Sequence, residues 1–135
     1  MMIEGWDGDD YLILFDEAES EQLTEGYGVR QYLPELTVVG IRGWDDFILR
    51  DSVGQLFRVP TVPLLPKCID EFEQIPDASR LTTDARFAGK IKWYTKPVVF
   101  GGDPSAEGNM IWVDIQKHQE LVRWWNQKYK EIAGQ

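Results

Sequence analysis

The 135-residue chain contains a single cysteine, Cys68, and a single histidine, His118. One cysteine excludes a disulfide within the chain, and a reducing cytoplasmic compartment is the simplest expectation. A structural zinc site needs four nitrogen or sulfur ligands, which these two residues cannot supply. We therefore expect no disulfide framework, no metal and no cofactor, and we expect Cys68 to act as a small buried apolar residue.

Long apolar runs and basic residues are also scarce. No stretch approaches the roughly 18 apolar residues of a membrane span, and residues 1–7 lack the basic and apolar regions of a signal peptide. The chain has 14 Lys and Arg residues against 23 Asp and Glu residues, which gives a formal net charge of −9. A chain this acidic repels phosphate backbones, so we expect neither a membrane nor a nucleic acid as partner.

Length and composition favour one folded domain over residues 1–135, because most domains have about 100–150 residues. The hydrophobic fraction of 43% is also far above that of disordered chains. The charge is uneven: residues 1–77 hold 17 acidic and 5 basic residues, whereas residues 78–135 hold 6 and 9. This asymmetry predicts an acidic face that can meet a partner, although an acidic surface also serves solubility alone.

Four short apolar segments, residues 11–15, 36–41, 46–50 and 55–59, predict strands of an antiparallel sheet. The segment 51–54 between the last two predicts a hairpin turn, because Asp51 and Ser52 form local caps and Gly54 accepts positive φ. We further predict a helix over residues 17–24 that stops before Gly26, a proline-rich connector over 60–67, a short helix over 68–72 and an edge strand over 96–100. Residues 76–90 show no clear period.

The clearest predicted element is a C-terminal helix over residues 115–132, with Asp114 as its N-cap. Its apolar stripe consists of Ile115, His118, Val122, Trp125, Tyr129 and Ile132. A histidine on such a stripe is more typical of a packed side chain than of a catalytic base, and no serine-nucleophile motif accompanies it. The predicted fold class is α+β, an antiparallel sheet packed by helices.

Two glycine-containing motifs favour turns over ligand sites. Residues 7–10, Asp-Gly-Asp-Asp, begin like a calcium loop, but Leu12 and Ala18 stand where that loop needs Gly and Glu. Residues 100–105 contain two glycines, fewer than phosphate-binding loops need, and Asp103 follows them and would repel phosphate. We therefore interpret both segments as turns.

The segments at residues 5–14 and 43–49 share a pattern in which Gly-Trp-Asp forms a predicted turn before an aromatic-led strand. We favour two independent turns over a duplication. Trp6 and Trp44 lie in these segments beside clustered acids. Core packing and anchoring of a partner are both open for them, since tryptophan is enriched at interface hot spots.

The middle of the chain resembles the SUKH superfamily. Residues 25–40, Glu-Gly-Tyr-Gly-Val-Arg-Gln-Tyr-Leu-Pro-Glu-Leu-Thr-Val-Val-Gly, are similar to its signature stretch, in which a helix ends in a polar-Tyr segment and Tyr/Phe-Leu-Pro-Gly precedes a strand ending in glycine. The similarity covers residues 5–65, with an aromatic-led strand, a turn at Gly54 and a strand closing in Val-Pro. Glu35 departs from the family pattern, and the family's usual N-terminal helices have no counterpart before residue 5.

The resemblance implies an α+β protein without catalytic residues. Bacterial members are mostly immunity proteins that neutralise toxins, many of them nucleases, and fungal relatives are regulators of cell-wall synthesis that act as adaptors. It thus implies a cytoplasmic, non-enzymatic protein that binds a protein partner such as a basic toxin domain. The alternatives are a regulatory adaptor and a sugar- or ligand-binding module. The candidate partner-binding residues are Trp6, Asp7, Asp9, Asp10, Asp16, Glu17, Trp44, Asp45, Asp46 and Asp51.

Overall fold

The computed structural model describes residues 2–133. The regular elements in this range are β1 (Ile3–Asp7), β2 (Asp10–Leu14), α1 (Glu17–Gly26), β3 (Thr37–Arg42), β4 (Asp46–Arg50), β5 (Leu56–Pro60), β6 (Asp70–Glu71), β7 (Ile91–Tyr94), β8 (Met110–Val113) and α2 (Ile115–Ile132). The fold is α+β with a long C-terminal helix, and the predicted fold class is confirmed.

Strands β1 to β6 form one sheet in chain order, and every neighbouring pair is antiparallel. β7 and β8 pair with each other in a second, two-stranded sheet. The four predicted strands correspond to β2 through β5, and each observed boundary lies within one residue of its prediction. Short turns join β3 to β4 and β4 to β5, and such turns favour antiparallel neighbours, whereas α1 lies between β2 and β3.

The six-stranded sheet buries side chains on both faces. On one face, Tyr11, Ile41 and Phe47 pack with both helices in the larger core. On the other face, Leu12 and Ile48 pack with apolar side chains from residues 72–81. Successive strand residues point to opposite faces, so a strand buried on both sides has an unbroken apolar run. This explains why β2 and β4 were recognisable in the sequence.

Helix α1 begins with a capping box. The Asp16 carboxylate accepts a hydrogen bond from the Glu19 amide at 2.8 Å, and the Glu19 carboxylate accepts one from the Asp16 amide at 2.9 Å. The helix continues through Gly26, so the predicted stop before this residue was wrong. The chain turns at Gly28, whose φ of 69° lies in the left-handed region that glycine adopts readily.

Helix α2 has the predicted N-cap, with Asp114 accepting a hydrogen bond from the Lys117 amide at 2.7 Å. His118 and Val122 are fully buried, whereas Ile132 is 66% exposed, so the predicted core-facing stripe ends before that residue. Buried Asn126 accepts a hydrogen bond from the amide of Leu64 and donates one to the carbonyl of Thr61. These bonds tie α2 to the proline-rich connector.

Three local predictions were wrong. Residues 68–72 do not form a helix; a 3-10 turn at Pro66–Cys68 leads into β6, which pairs with Phe57 and Arg58 of β5. Residues 96–100 form a turn with a 3-10 helix at Val98–Phe100, and the late strands are β7 and β8. The segment Gly-Trp-Asp at residues 5–7 lies within β1 rather than in a turn.

The segment over residues 82–89 lies along the outer edge of β1. The amide of Trp6 donates to the carbonyl of Thr82 at 2.9 Å, and the amide of Thr82 returns a bond to the carbonyl of Trp6. The Thr83 hydroxyl donates to the carbonyl of Glu4, whose carboxylate also accepts a hydrogen bond from the amide of Gly89. Residues 76–90 have no clear sequence period, and these hydrogen bonds to β1 fix their position.

Candidate functional site

The strand order divides the ten candidate residues between two ends of the six-stranded sheet. The β1–β2 and β3–β4 turns lie at one end, and the Gly43 amide donates to the Tyr11 carbonyl between them at 2.8 Å. We call this end the turn edge; it carries Trp6, Asp7, Asp9, Asp10, Trp44, Asp45 and Asp46. Asp16, Glu17 and Asp51 lie at the opposite end, where β2 leads into α1 and β4 leads into β5.

The three acids at the opposite end have local structural roles. Asp16 caps α1, and the backbone bond from Glu19 is the main cause that lowers the pKa of the Asp16 carboxyl. Glu17 lies in the first turn of α1, where the helix dipole favours an acid. Asp51 accepts hydrogen bonds from the amides of Val53 and Gln55 in the β4–β5 turn. These contacts explain all three acids without a partner protein.

At the turn edge, Asp10 and Asp46 belong to a row of alternating charges that contains one residue from each of strands β2 to β6. The row runs Asp10, Arg42, Asp46, Arg58, Asp70, and its successive nitrogen–oxygen distances are 2.8, 3.7, 3.7 and 3.9 Å. Pairs this exposed stabilise a protein by about 1 kcal/mol or less each. The row therefore balances charge within the sheet and holds both acids in place.

The other three acids of the turn edge are differently placed. Asp7, Asp9 and Asp45 are exposed, and within residues 2–133 none of their carboxylates forms an ion pair or a hydrogen bond. Asp7 ends β1, Asp9 lies in the β1–β2 turn, and Asp45 lies in the β3–β4 turn. These carboxylates are therefore available to a cationic partner.

Trp6 and Trp44 are half-buried rather than prominent. They pack with Tyr11, Phe87 and Trp112 in an aromatic cluster whose contacting ring centroids lie 5.1 to 6.0 Å apart. The Trp6 indole donates a hydrogen bond to Asp84 at 3.2 Å. This packing fits the core interpretation of the two tryptophans and connects the turn edge to Phe87 and Trp112.

A cleft of about 330 Å³ opens beside the turn edge, between the β3–β4 turn and β7. Its apolar lining consists of Trp44, Pro60, Val62, Trp93, Tyr94, Pro97 and Val99, and its polar lining consists of Asp45, Asp46, Thr61 and Lys92. Trp44 has a φ of 63°, which is strained for a bulky side chain. Strain of this kind is concentrated at functional sites, where the surrounding structure must enforce it.

Charges of opposite sign line this cleft. The neighbouring protein displaces enough water from the exposed Asp45 carboxyl to raise its pKa, and the Lys92 ammonium partly opposes that rise. The Nζ atom of Lys92 lies 5.3 Å from the ring centroid of Tyr94 and 5.9 Å from that of Trp44. These ring faces attract the ammonium and hold it along the wall. Sequence reasoning missed the cleft because Lys92 and Asp45 are brought together only by the packing of β7 on the main sheet.

His118 lies in the core rather than in the cleft. Its Nδ1 atom is 2.7 Å from the Tyr27 hydroxyl, and the indole ring of Trp93 contacts its imidazole edge-on. Burial lowers the pKa of His118 from 6.5 to about 3, so the imidazole is neutral at physiological pH. The prediction that His118 is a packed side chain is confirmed.

No family model, curated protein or solved structure matches the chain. Over residues 2–133, no group of three or more His, Cys, Asp or Glu side chains is arranged to hold a metal ion. In the same range, neither helix is both long enough and apolar enough to cross a membrane. The fold and the site define an acidic α+β protein with a negatively charged turn edge and an adjoining cleft.

Proposed function

We propose that this chain is an immunity protein of the SUKH type, a cytoplasmic, non-enzymatic protein that neutralises a basic toxin domain such as a nuclease. The turn edge contacts the toxin in this proposal. The observation that carries it is the presence of three exposed carboxylates without an ion pair among the described residues, Asp7, Asp9 and Asp45, on the turn edge. The sequence resemblance over residues 5–65 supports the same function.

Electrostatics gives the proposal its physical basis. A nuclease binds phosphates through clustered cations, and carboxylates on a rigid surface can occupy those cations in place of the substrate. Charge complementarity raises association rates by about 10- to 1,000-fold at low ionic strength. Asp9 and Asp45 directly precede Asp10 and Asp46 in the chain, and both of these residues form ion pairs with Arg42.

The test is rescue of cells from the toxin encoded in the neighbouring reading frame, together with association kinetics for the purified pair. We expect the variant Asp7→Asn/Asp9→Asn/Asp45→Asn to lose rescue and to associate at least about tenfold more slowly at low salt. The matched control is Glu25→Gln/Glu35→Gln/Glu73→Gln, which removes the same charge from exposed sites elsewhere. The control should rescue as the wild type does.

Two outcomes would contradict this function. Equal loss of rescue in both triple variants would show that net charge, rather than the turn edge, determines binding. If the wild-type chain fails to rescue and captures a regulatory protein from its native cell instead, the adaptor alternative replaces the immunity function.

A further inference from the structure

The cleft beside the turn edge has the size and composition of a small-molecule site. Its volume of about 330 Å³ falls within the roughly 300–1,000 Å³ of typical ligand pockets. Such pockets are mostly apolar and contain a few well-placed polar groups, and this cleft has an aromatic and proline lining with four polar side chains. Contact between the turn edge and a toxin requires neither Lys92 nor Thr61.

Asp45 and Lys92 are charges of opposite sign in the cleft wall, and the third charged lining residue, Asp46, is paired with Arg42 and Arg58. Within residues 2–133, neither the Asp45 carboxylate nor the Lys92 ammonium forms an ion pair. The two groups are carried by different elements, the β3–β4 turn and β7. A ligand that is only anionic would be repelled by Asp45, and one that is only cationic would be repelled by Lys92. A ligand with both charges can satisfy both residues.

Thr61 supplies a second, independent observation. It is only 6% exposed and lines the cleft. Its backbone is fully engaged, because its amide donates to the Asp45 carbonyl and its carbonyl accepts from Asn126. The Thr61 hydroxyl is therefore the polar group of this residue that can hydrogen-bond to a ligand in the cleft.

From these observations we propose that the cleft binds a small zwitterion of free α-amino acid type with an apolar side chain. Its ammonium pairs with Asp45, its carboxylate pairs with Lys92 and accepts a hydrogen bond from Thr61, and its side chain lies against the aromatic and proline walls. Trp44, whose backbone is strained, directly precedes Asp45 in this wall.

The experiment is a titration of the purified protein with L-phenylalanine and with L-leucine. Binding is measured by calorimetry and by the change in tryptophan fluorescence. N-acetyl-L-phenylalanine and L-phenylalaninamide each lack one of the two charges and serve as matched ligands. We expect each to bind at least about tenfold more weakly than L-phenylalanine, equivalent to about 1.4 kcal/mol. Methyl glucoside, which is uncharged, should not bind.

Substitutions of the lining residues test whether L-phenylalanine binds in the cleft. Asp45→Asn and Lys92→Gln should each weaken L-phenylalanine binding by at least about tenfold, and Thr61→Val should weaken it by about fivefold. Asp9→Asn is the control, because it removes an exposed acid of the same turn edge outside the cleft. Circular dichroism establishes that each variant is folded.

The proposal is overturned if neither amino acid binds at concentrations up to about 20 mM, if the single-charge analogues bind equally well, or if only methyl glucoside binds. Amino-acid binding by the cleft can be tested separately from the proposed toxin contact. Lys92→Gln and Thr61→Val leave Asp7, Asp9 and Asp45 intact, so they should abolish or weaken amino-acid binding without affecting rescue from the toxin.

Discussion

Lowering the pH from 7 to 5 should destabilise the protein through His118, the one histidine of the chain. The imidazole is fully buried, its Nδ1 atom is hydrogen-bonded to Tyr27, and its Nε2 atom has no partner among the described residues. Protonation would place a cation in this enclosed position. The folded state therefore resists protonation, whereas the unfolded chain accepts the proton readily.

The magnitude follows from the two pKa values. Burial lowers the pKa of folded His118 from 6.5 to about 3. Between these values the unfolded state binds more protons than the folded state, so stability falls as the pH falls, by about 1.4 kcal/mol per pH unit. A pH of 5 is about 1.5 units below the pKa of the histidine in the unfolded chain. The free energy of unfolding at pH 5 should therefore be about 2 kcal/mol lower than at pH 7.

The assay is urea denaturation at pH 7, 6 and 5 for the wild type and for His118→Gln. Glutamine retains hydrogen-bonding capacity toward Tyr27 but does not titrate. We expect the wild type to lose about 2 kcal/mol over this range and the variant to lose little of that amount. Asp45 and Asp46 have raised pKa values that act in the opposite direction, but they are present in both proteins.

A second measurement does not depend on the variant being stable. Because the chain has one histidine, its imidazole proton signals in the NMR spectrum need no assignment by mutagenesis. These signals should not titrate between pH 7 and pH 5 in the folded protein. A titration midpoint near 6.5, or equal pH dependence of stability in the wild type and His118→Gln, would refute the reasoning.

Two further predictions concern the fold. In Gly5→Ala, the added Cβ would lie 2.7 Å from a backbone carbon of Thr82. We therefore expect urea denaturation to show a free energy of unfolding lower by about 1–3 kcal/mol. The control is Gly108→Ala, which should be nearly neutral because its added Cβ has no neighbour within 4 Å. Asn126→Ala should lower the free energy of unfolding by about 2–4 kcal/mol because the Leu64 amide and the Thr61 carbonyl lose their buried partner. The control is Gln127→Ala on the exposed side of α2, which should lower it by less than about 0.5 kcal/mol. If a variant and its control lost equal stability, the contacts of Gly5 or Asn126 would not have the importance assigned to them.

The elements that the sequence predicted well are those whose signal is local. Strands β2 to β5 have apolar runs and turn residues, and α2 has both a cap and a periodic stripe, so neighbours along the chain define them. β6 has only two residues, Asp70 and Glu71, and becomes a strand because β5 offers it an open edge. In the segment at residues 96–100, valine and phenylalanine suggested a strand, but Pro97 cannot donate to a ladder and the chain turns there.

The candidate site was predictable only in part for the same reason. Clustered acids beside Trp6 and Trp44 indicated the turn edge, because both hairpin turns are local features. The pairing of Asp10 with Arg42 depends on the register between β2 and β3, which no local pattern reveals. The cleft depends on how β7 lies against the β3–β4 turn, so the combination of Asp45, Thr61 and Lys92 has no signature in the sequence.

The contacts between residues 82–89 and β1 also limit how this protein can be recognised. An open strand edge presents unpaired amides and carbonyls that any extended chain can extend by main-chain pairing, regardless of its sequence. At one edge strand of the six-stranded sheet, β1, the backbone groups of Trp6 and Glu4 already form hydrogen bonds with Thr82 and Thr83. The other edge strand, β6, is only two residues long. A partner at this sheet must therefore be selected by side chains, which favours discrimination among related partners and protects against edge-to-edge aggregation.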